Sequence, residues 1–272
     1  MHDTAQVNGT TLWYETVGAG DCVVQLGGAV SAHEGYDTVT PRLSQHYEVL
    51  NYDHRGYGLS ARPQQRYTIK VWCDDLVGLL DLLGKERVHI HGGSMGSFIA
   101  IAFALAHPDR VDKLLLGAGA VAKCDSMGIA QFRVWQHLAR AYGVGSREVA
   151  DELVNKAFSR SYIDEVGLEP LVDAMTDSAS RNAETDVFID ACQVMIDADV
   201  RDGLSQLTAP TLVMVGSDDM LTPLDAGPNG FGARQVAAAI PNATLKIFEG
   251  SGHGHYIEQA DESIEAILEF LQ

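Results

Sequence analysis

Positive charge is scarce in this chain. It carries 19 lysines and arginines against 37 aspartates and glutamates, a formal net charge of −18. Such a surface repels phosphate backbones and anionic bilayers, so nucleic acid and membrane surfaces are poor candidate partners. Cysteine is sparse too. Cys22, Cys73, Cys124 and Cys192 are scattered, and no C-x-x-C pair suggests zinc or redox work. They read as free buried thiols in a reducing compartment rather than as a disulfide framework. No apolar run is long enough to cross a bilayer. The opening "MHDTAQVNGTT" lacks the apolar stretch of a signal peptide. A soluble, cytoplasmic protein is expected. Repeats at solenoid spacing and low-complexity tracts are also missing.

What is present is enough apolar material for a large core: 46% of 272 residues. A chain of this length fits one large α/β unit. Short apolar runs bounded by glycine or aspartate read as strands at 11–18, 22–28, 47–53, 87–93, 113–119, 209–217 and 242–250. Between them, "TIKVWCDDLVGLLDLLG" (68–84) has apolar residues at helical spacing, with Thr68 as N-cap and Gly84 as stop. "SMGSFIAIAFALAHP" is apolar nearly all round, as a buried helix should be. Alternating strands and helices predict a mostly parallel sheet covered on both faces. The alternation stops near residue 121. Helical patterns at 128–143, 147–158 and 185–200 then precede the strand at 209–217. Residues 122–207 are therefore expected to form a helical cap inserted in a core made of 1–121 and 208–272.

The chemistry concentrates at three strand ends. Gly92-Gly93-Ser94-Met95-Gly96 is a G-x-S-x-G placed where a strand stops and a helix starts. So abrupt a reversal strains its central residue and lifts the Ser94 hydroxyl clear of the sheet edge. It also puts the Met95 N–H at a helix N-terminus, facing any developing anion. The bland alternative is that Ser94 only caps the helix. A serine hydroxyl needs a base, and the base needs an orienting carboxylate. "VGSDDMLTP" (215–223) offers Asp218 and Asp219. "EGSGHGHYIEQ" (249–259) offers His253 and His255. His253-Gly254-His255 alone supplies too few ligands for a metal site. Neither metal nor cofactor is expected.

With "YDHRGYGLS" (52–60), "HGGSMGS" (91–97), "HPDRV" (107–111), the G-x-x-D-x-x-T-P at Gly216 to Pro223 and the G-H-x-x-x-x-E at Gly252 to Glu258, the chain resembles the α/β-hydrolase fold family, in its capped, esterase-like branch. The resemblance implies an α/β fold: a mostly parallel eight-stranded sheet flanked by helices, with the cap after strand 6. It also implies a triad of Ser94, Asp219 and His253, with Ala29 and Met95 supplying the oxyanion-hole N–H groups. Family members usually carry His-Gly after the third strand, whereas this chain has Gly27-Gly28. Asp53 and Arg55 brace a turn in this resemblance, and His91 reads as a buried structural histidine.

Gly28, His33, Trp135 and His255 are candidate substrate contacts. The apolar insertion residues Ile129, Phe132, Trp135, Phe188 and Met195 suggest an apolar substrate body. The expected function is a serine hydrolase of a small carboxylic ester or lactone, acting through an acyl-enzyme. One alternative is hydrolysis of a carbon–carbon bond in a ring-cleavage product, whose carboxylate Arg133, Arg140 or Arg181 could receive. Another is a ligand sensor on the same fold with little turnover. The oligomeric state is not legible.

Overall fold

Strand composition sets the centre of the sheet. β3 (Cys22–Leu26), β5 (Val88–Gly93) and β7 (Thr211–Gly216) are buried along their whole length, and β6 (Val111–Gly117) over most of it. Strands buried on both faces belong in a parallel sheet covered by helices. With β1 (His2–Val7), β2 (Thr10–Val17), β4 (Glu48–Tyr52) and β8 (Ala243–Phe248) they form one eight-stranded sheet in the order β1-β2-β4-β3-β5-β6-β7-β8. The pairs β1–β2 and β2–β4 are antiparallel; the rest are parallel. This is a computed structural model, and it describes residues 2–272; Met1 lies outside the described residues.

Side chains alternate between two cores because successive strand residues point to opposite faces. Val23, Leu115, Leu212 and Met214 pack on one face with Leu43 of α1 (Thr40–Leu43) and Ile264, Ile267 and Leu271 of α11 (Ala260–Leu271). Val24, Leu114, Leu116, Val213 and Val215 face the other, larger core. There they meet α2 (Ile69–Leu82), α3 (Met95–Ala106) and α9 (Ala233–Ala239). The Thr68 hydroxyl accepts from the Val71 N–H and caps α2, and Gly84, at φ 64°, stops it.

β1, which pairs with β2 along six positions, has no strand signal of its own. Only Ala5 and Val7 of that strand are buried, so its pattern is too polar to stand out. Between β6 and β7 the chain forms five α-helices, two of them outside the stretches named from the sequence: α4 (Ser126–Tyr142), α5 (Arg147–Ala157), α6 (Arg160–Val166), α7 (Leu168–Asn182) and α8 (Thr185–Asp197). α6 buries none of its residues and α7 only four, so neither carries a full apolar stripe to read. A one-turn helix, α10 (His255–Glu258), lies between β8 and α11.

All four cysteines are free and buried. Burial pushes the Cys22, Cys73 and Cys124 thiols up to about 12, which keeps them protonated and unreactive at neutral pH. Among the described residues, no helix is long and apolar enough to cross a membrane.

Candidate active site

Ser94 sits between β5 and α3 at φ 55° and ψ −120°, a conformation that costs an L-residue energy and persists only when its surroundings enforce it. They do. A Cβ on Gly92 would lie 2.3 Å from the Gly96 carbonyl oxygen, and one on Gly96 would lie 2.1 Å from that of Leu26. Only glycine lets strand and helix approach so closely. The Ser94 N–H donates to the Gly117 carbonyl at 3.0 Å. The Ser97 hydroxyl reaches the Gly92 and Gly117 carbonyls at 2.8 and 2.9 Å. The Ser94 hydroxyl does not cap α3. It lines a cavity of about 470 Å³.

The turn after β7 separates the two aspartates. Asp218 is exposed and accepts from the Ser217 hydroxyl at 2.9 Å. Asp219 is buried. Its Oδ1 accepts from the Leu221 and Thr222 N–H groups at 2.8 and 2.9 Å. Its Oδ2 lies 2.9 Å from His253 Nδ1 and 2.8 Å from the Thr222 hydroxyl. With its carboxylate fixed on four sides, Asp219 holds the imidazole with Nδ1–H toward the acid, leaving Nε2 as an acceptor. His253 lines the same cavity as Ser94. Thr222, which bonds Asp219 and sits 3.0 Å from His253 Nδ1, was not singled out from the sequence; its signal lay in the T-P of the motif.

His255 does not line the cavity, so its expected substrate contact is corrected. It is fully buried, with Nδ1 2.9 Å from the Ser263 hydroxyl. Its Nε2 accepts from the Ala118 N–H at 3.0 Å, and its ring stacks on Phe248 at 4.4 Å. Burial holds its pKa well below the usual histidine value, so it stays neutral. Ala118, the residue it grips, has φ 50° and lines the cavity. His255 therefore steadies the strained end of β6.

His33 is corrected in the same way. Its N–H and Nδ1 both meet Asp53 Oδ1, at 2.8 and 2.9 Å, and its ring lies 4.1 Å from that of Trp13. The hydrogen bond to Asp53 raises its pKa. It ties the loop after β3 to the turn after β4. Asp53 also accepts from the Leu59 N–H, and Arg55 pairs with buried Asp75 through two bonds of 2.9 and 2.6 Å. Further bracing of the β3 loop comes from the Tyr36 hydroxyl, which donates to the Leu26 carbonyl at 2.8 Å. The Gly28 N–H adds to it, donating to the Ser31 hydroxyl at 3.0 Å. These bonds stand where the usual His-Gly is missing. His91 is buried, its Nε2 2.6 Å from the Tyr256 hydroxyl, and burial lowers its pKa to about 3.

Gly28 and Ala29 line the cavity, and a Cβ on Gly28 would touch that of Ser94 at 3.4 Å. The Met95 N–H is the first of α3 and has no acceptor within the helix. The insertion supplies much of the apolar wall, through Phe132, Trp135, Leu153, Leu171, Met175 and Met195. Trp135 Nε1 is buried without a hydrogen-bond partner. Ile129 and Phe188 do not reach the cavity; Phe188 packs behind Trp135, ring centroids 6.1 Å apart. Arg133, Arg140 and Arg181 are exposed and none lines it.

The histidine loop is fastened to the insertion. The Gly254 N–H donates to the Ala157 carbonyl at the end of α5, at 2.7 Å. Glu258 Oε1 accepts from the N–H groups of Gly252 and Ser159, at 2.9 and 3.2 Å. Among the described residues, no three His, Cys, Asp or Glu side chains converge as a metal site.

Residues 23–260 match the model of the alpha/beta hydrolase fold family. A 2-hydroxy-6-oxononadienedioate/2-hydroxy-6-oxononatrienedioate hydrolase of Pseudomonas putida is 32% identical, over 96% of this chain and 91% of its own. The enol-lactonase of Burkholderia xenovorans LB400 superposes with a TM-score of 0.86 at 27% identity, over 99% of each chain. A thermophilic esterase of Thermogutta terrifontis gives 0.85 at 25% identity, over 100% of this chain and 98% of its own.

Proposed function

Because the chain belongs to the α/β-hydrolase fold family, we propose that it is a serine hydrolase of a small carboxylic ester or lactone. The observation that carries this reading is the Asp219–His253 bond of 2.9 Å beside the strained Ser94, with Ser94 and His253 lining one cavity. In this reading Ser94 Oγ attacks the carbonyl carbon while His253 Nε2 takes its proton. Asp219 orients the ring and stabilises the imidazolium. The oxygen of the tetrahedral intermediate gathers negative charge, and the N–H groups of Ala29 and Met95 receive it. The intermediate collapses as His253 returns the proton to the leaving alcohol. Water, deprotonated by His253, then releases the acid and restores Ser94. The helices 122–207 act as a cap that gives the acyl body an apolar wall.

A carbon–carbon bond hydrolase is the second reading, favoured by the likeness to the Pseudomonas putida enzyme. Against it, the three arginines of the insertion that could have received a carboxylate are exposed and outside the cavity. A panel of p-nitrophenyl esters and lactones of graded acyl size tests the leading reading, alongside a serine-reactive phosphonate read by intact mass. Wild type should gain one adduct, and Ser94→Ala should gain none and lose turnover by about 10⁴-fold or more. Full turnover by Ser94→Ala would sink the mechanism.

A further inference from the structure

We propose that the pocket selects uncharged substrates and rejects those bearing a carboxylate, with Glu34 and Asp37 as the residues that enforce it. The inference rests on the serine-hydrolase reading and narrows its substrate class. Among the described residues lining the cavity there is no lysine or arginine. The ionisable groups there, besides His253 and two tyrosines, are the carboxyls of Glu34 and Asp37. Burial pushes both of those tyrosines, Tyr36 and Tyr256, further from ionisation. The imidazole of His33 lies outside, with its Nδ1 4.0 Å from Glu34 Oε2. It is already committed to Asp53 at 2.9 Å, so a proton on it faces two carboxylates. The Asn182 amide donates to Glu34 Oε1 and holds that side chain in place.

A substrate carboxylate drawn into this space would lose water to an apolar wall, find no cation and meet fixed charge of its own sign. The formal charge of −18 opposes its approach from a distance as well. An ester or lactone with a neutral body meets none of these penalties.

The test uses two esters that differ only at the far end: mono-p-nitrophenyl adipate, whose free end is a carboxylate, and its methyl ester. At low salt, kcat/KM should favour the methyl ester by at least about tenfold. The gap should narrow in 0.5 M sodium chloride, because screening acts on charge and not on fit. It should also narrow in the double variant Glu34→Gln/Asp37→Asn. Equal or better turnover of the carboxylate-ended ester overturns the inference while leaving the hydrolase reading intact. A gap unmoved by the double variant removes Glu34 and Asp37 as its cause. Binding of dimethyl adipate and of adipate to Ser94→Ala, by calorimetry, reads the same contrast without turnover. Preference for the neutral form there, with no ester cleaved by wild type, keeps the inference and sinks the hydrolase reading. Binding of neither form, or preference for adipate, overturns it.

Discussion

Two histidines two residues apart have opposite situations. His253 is bonded on one side to Asp219 and lines the cavity on the other. His255 spends both nitrogens inside the protein, on Ser263 and on the Ala118 N–H. Their substitutions should separate cleanly. His253→Ala should lower kcat/KM by about 10⁴-fold with little change in Tm. His255→Ala leaves the buried Ala118 N–H without its partner and a void against Phe248, while the Ser263 hydroxyl keeps the backbone carbonyl of residue 255 at 3.0 Å. It should cost about 2–4 kcal/mol of stability while the remaining folded enzyme keeps most of its rate. Urea unfolding together with phosphonate titration of active sites checks both. A large rate loss in His255→Ala at unchanged stability would reverse the assignment. Spacing from Glu258 favoured His253 in the sequence. The burial of His255 was not legible there, because the Ala118 N–H that its Nε2 receives lies 137 residues away in the chain.

At the scale of elements, strands and helices showed where apolar period and punctuation agreed. Thr68 and Gly84 bracket α2 in the sequence much as in the fold. β1, α6 and α7 escaped because each buries too little to leave a pattern. The motifs around Ser94, Asp219 and His253 were readable because each lies at the C-terminal end of a strand, where the turn chemistry is local. The Glu258 bridge to Ser159 was not, since it joins segments 99 residues apart. The packing of α2 depends on one buried ion pair. Asp75 receives Arg55 and the Asn8 amide, and the Trp72 indole donates to the Arg55 carbonyl at 3.1 Å. Arg55→Ala would leave that carboxylate buried without its cation, and should cost about 3–5 kcal/mol. A shift in the urea midpoint of under about 1 kcal/mol equivalent would show that water relieves the charge.

For the whole molecule, buried neutral histidines set the acid limit. Burial lowers His54 to about 4 and His91 to about 3, and holds His255 well below its ordinary value. The unfolded chain takes up these protons near pH 6.5 and the folded chain does not, so stability is lost as pH falls from 6.5 toward 4. Three such groups give a slope of up to roughly 4 kcal/mol per pH unit. His33, raised by Asp53, works the other way: its contribution is full below pH 6.5 and is lost as pH rises through its folded value. Calorimetry from pH 8 to 4.5 should show Tm falling steeply only below about 6.5. A flat profile there would mean that water reaches these rings. The bonds from Gly254 to Ala157 and from Glu258 to Ser159 have a different reach. They fix one corner of the helical layer to the loop that carries His253. Any opening of the helical layer must therefore use motion at some other corner. An insertion transplanted from a relative would have to bring its own counterpart of residues 157–159. In this sense helical layer and histidine loop form a single heritable module, although they are separated in the chain by two strands.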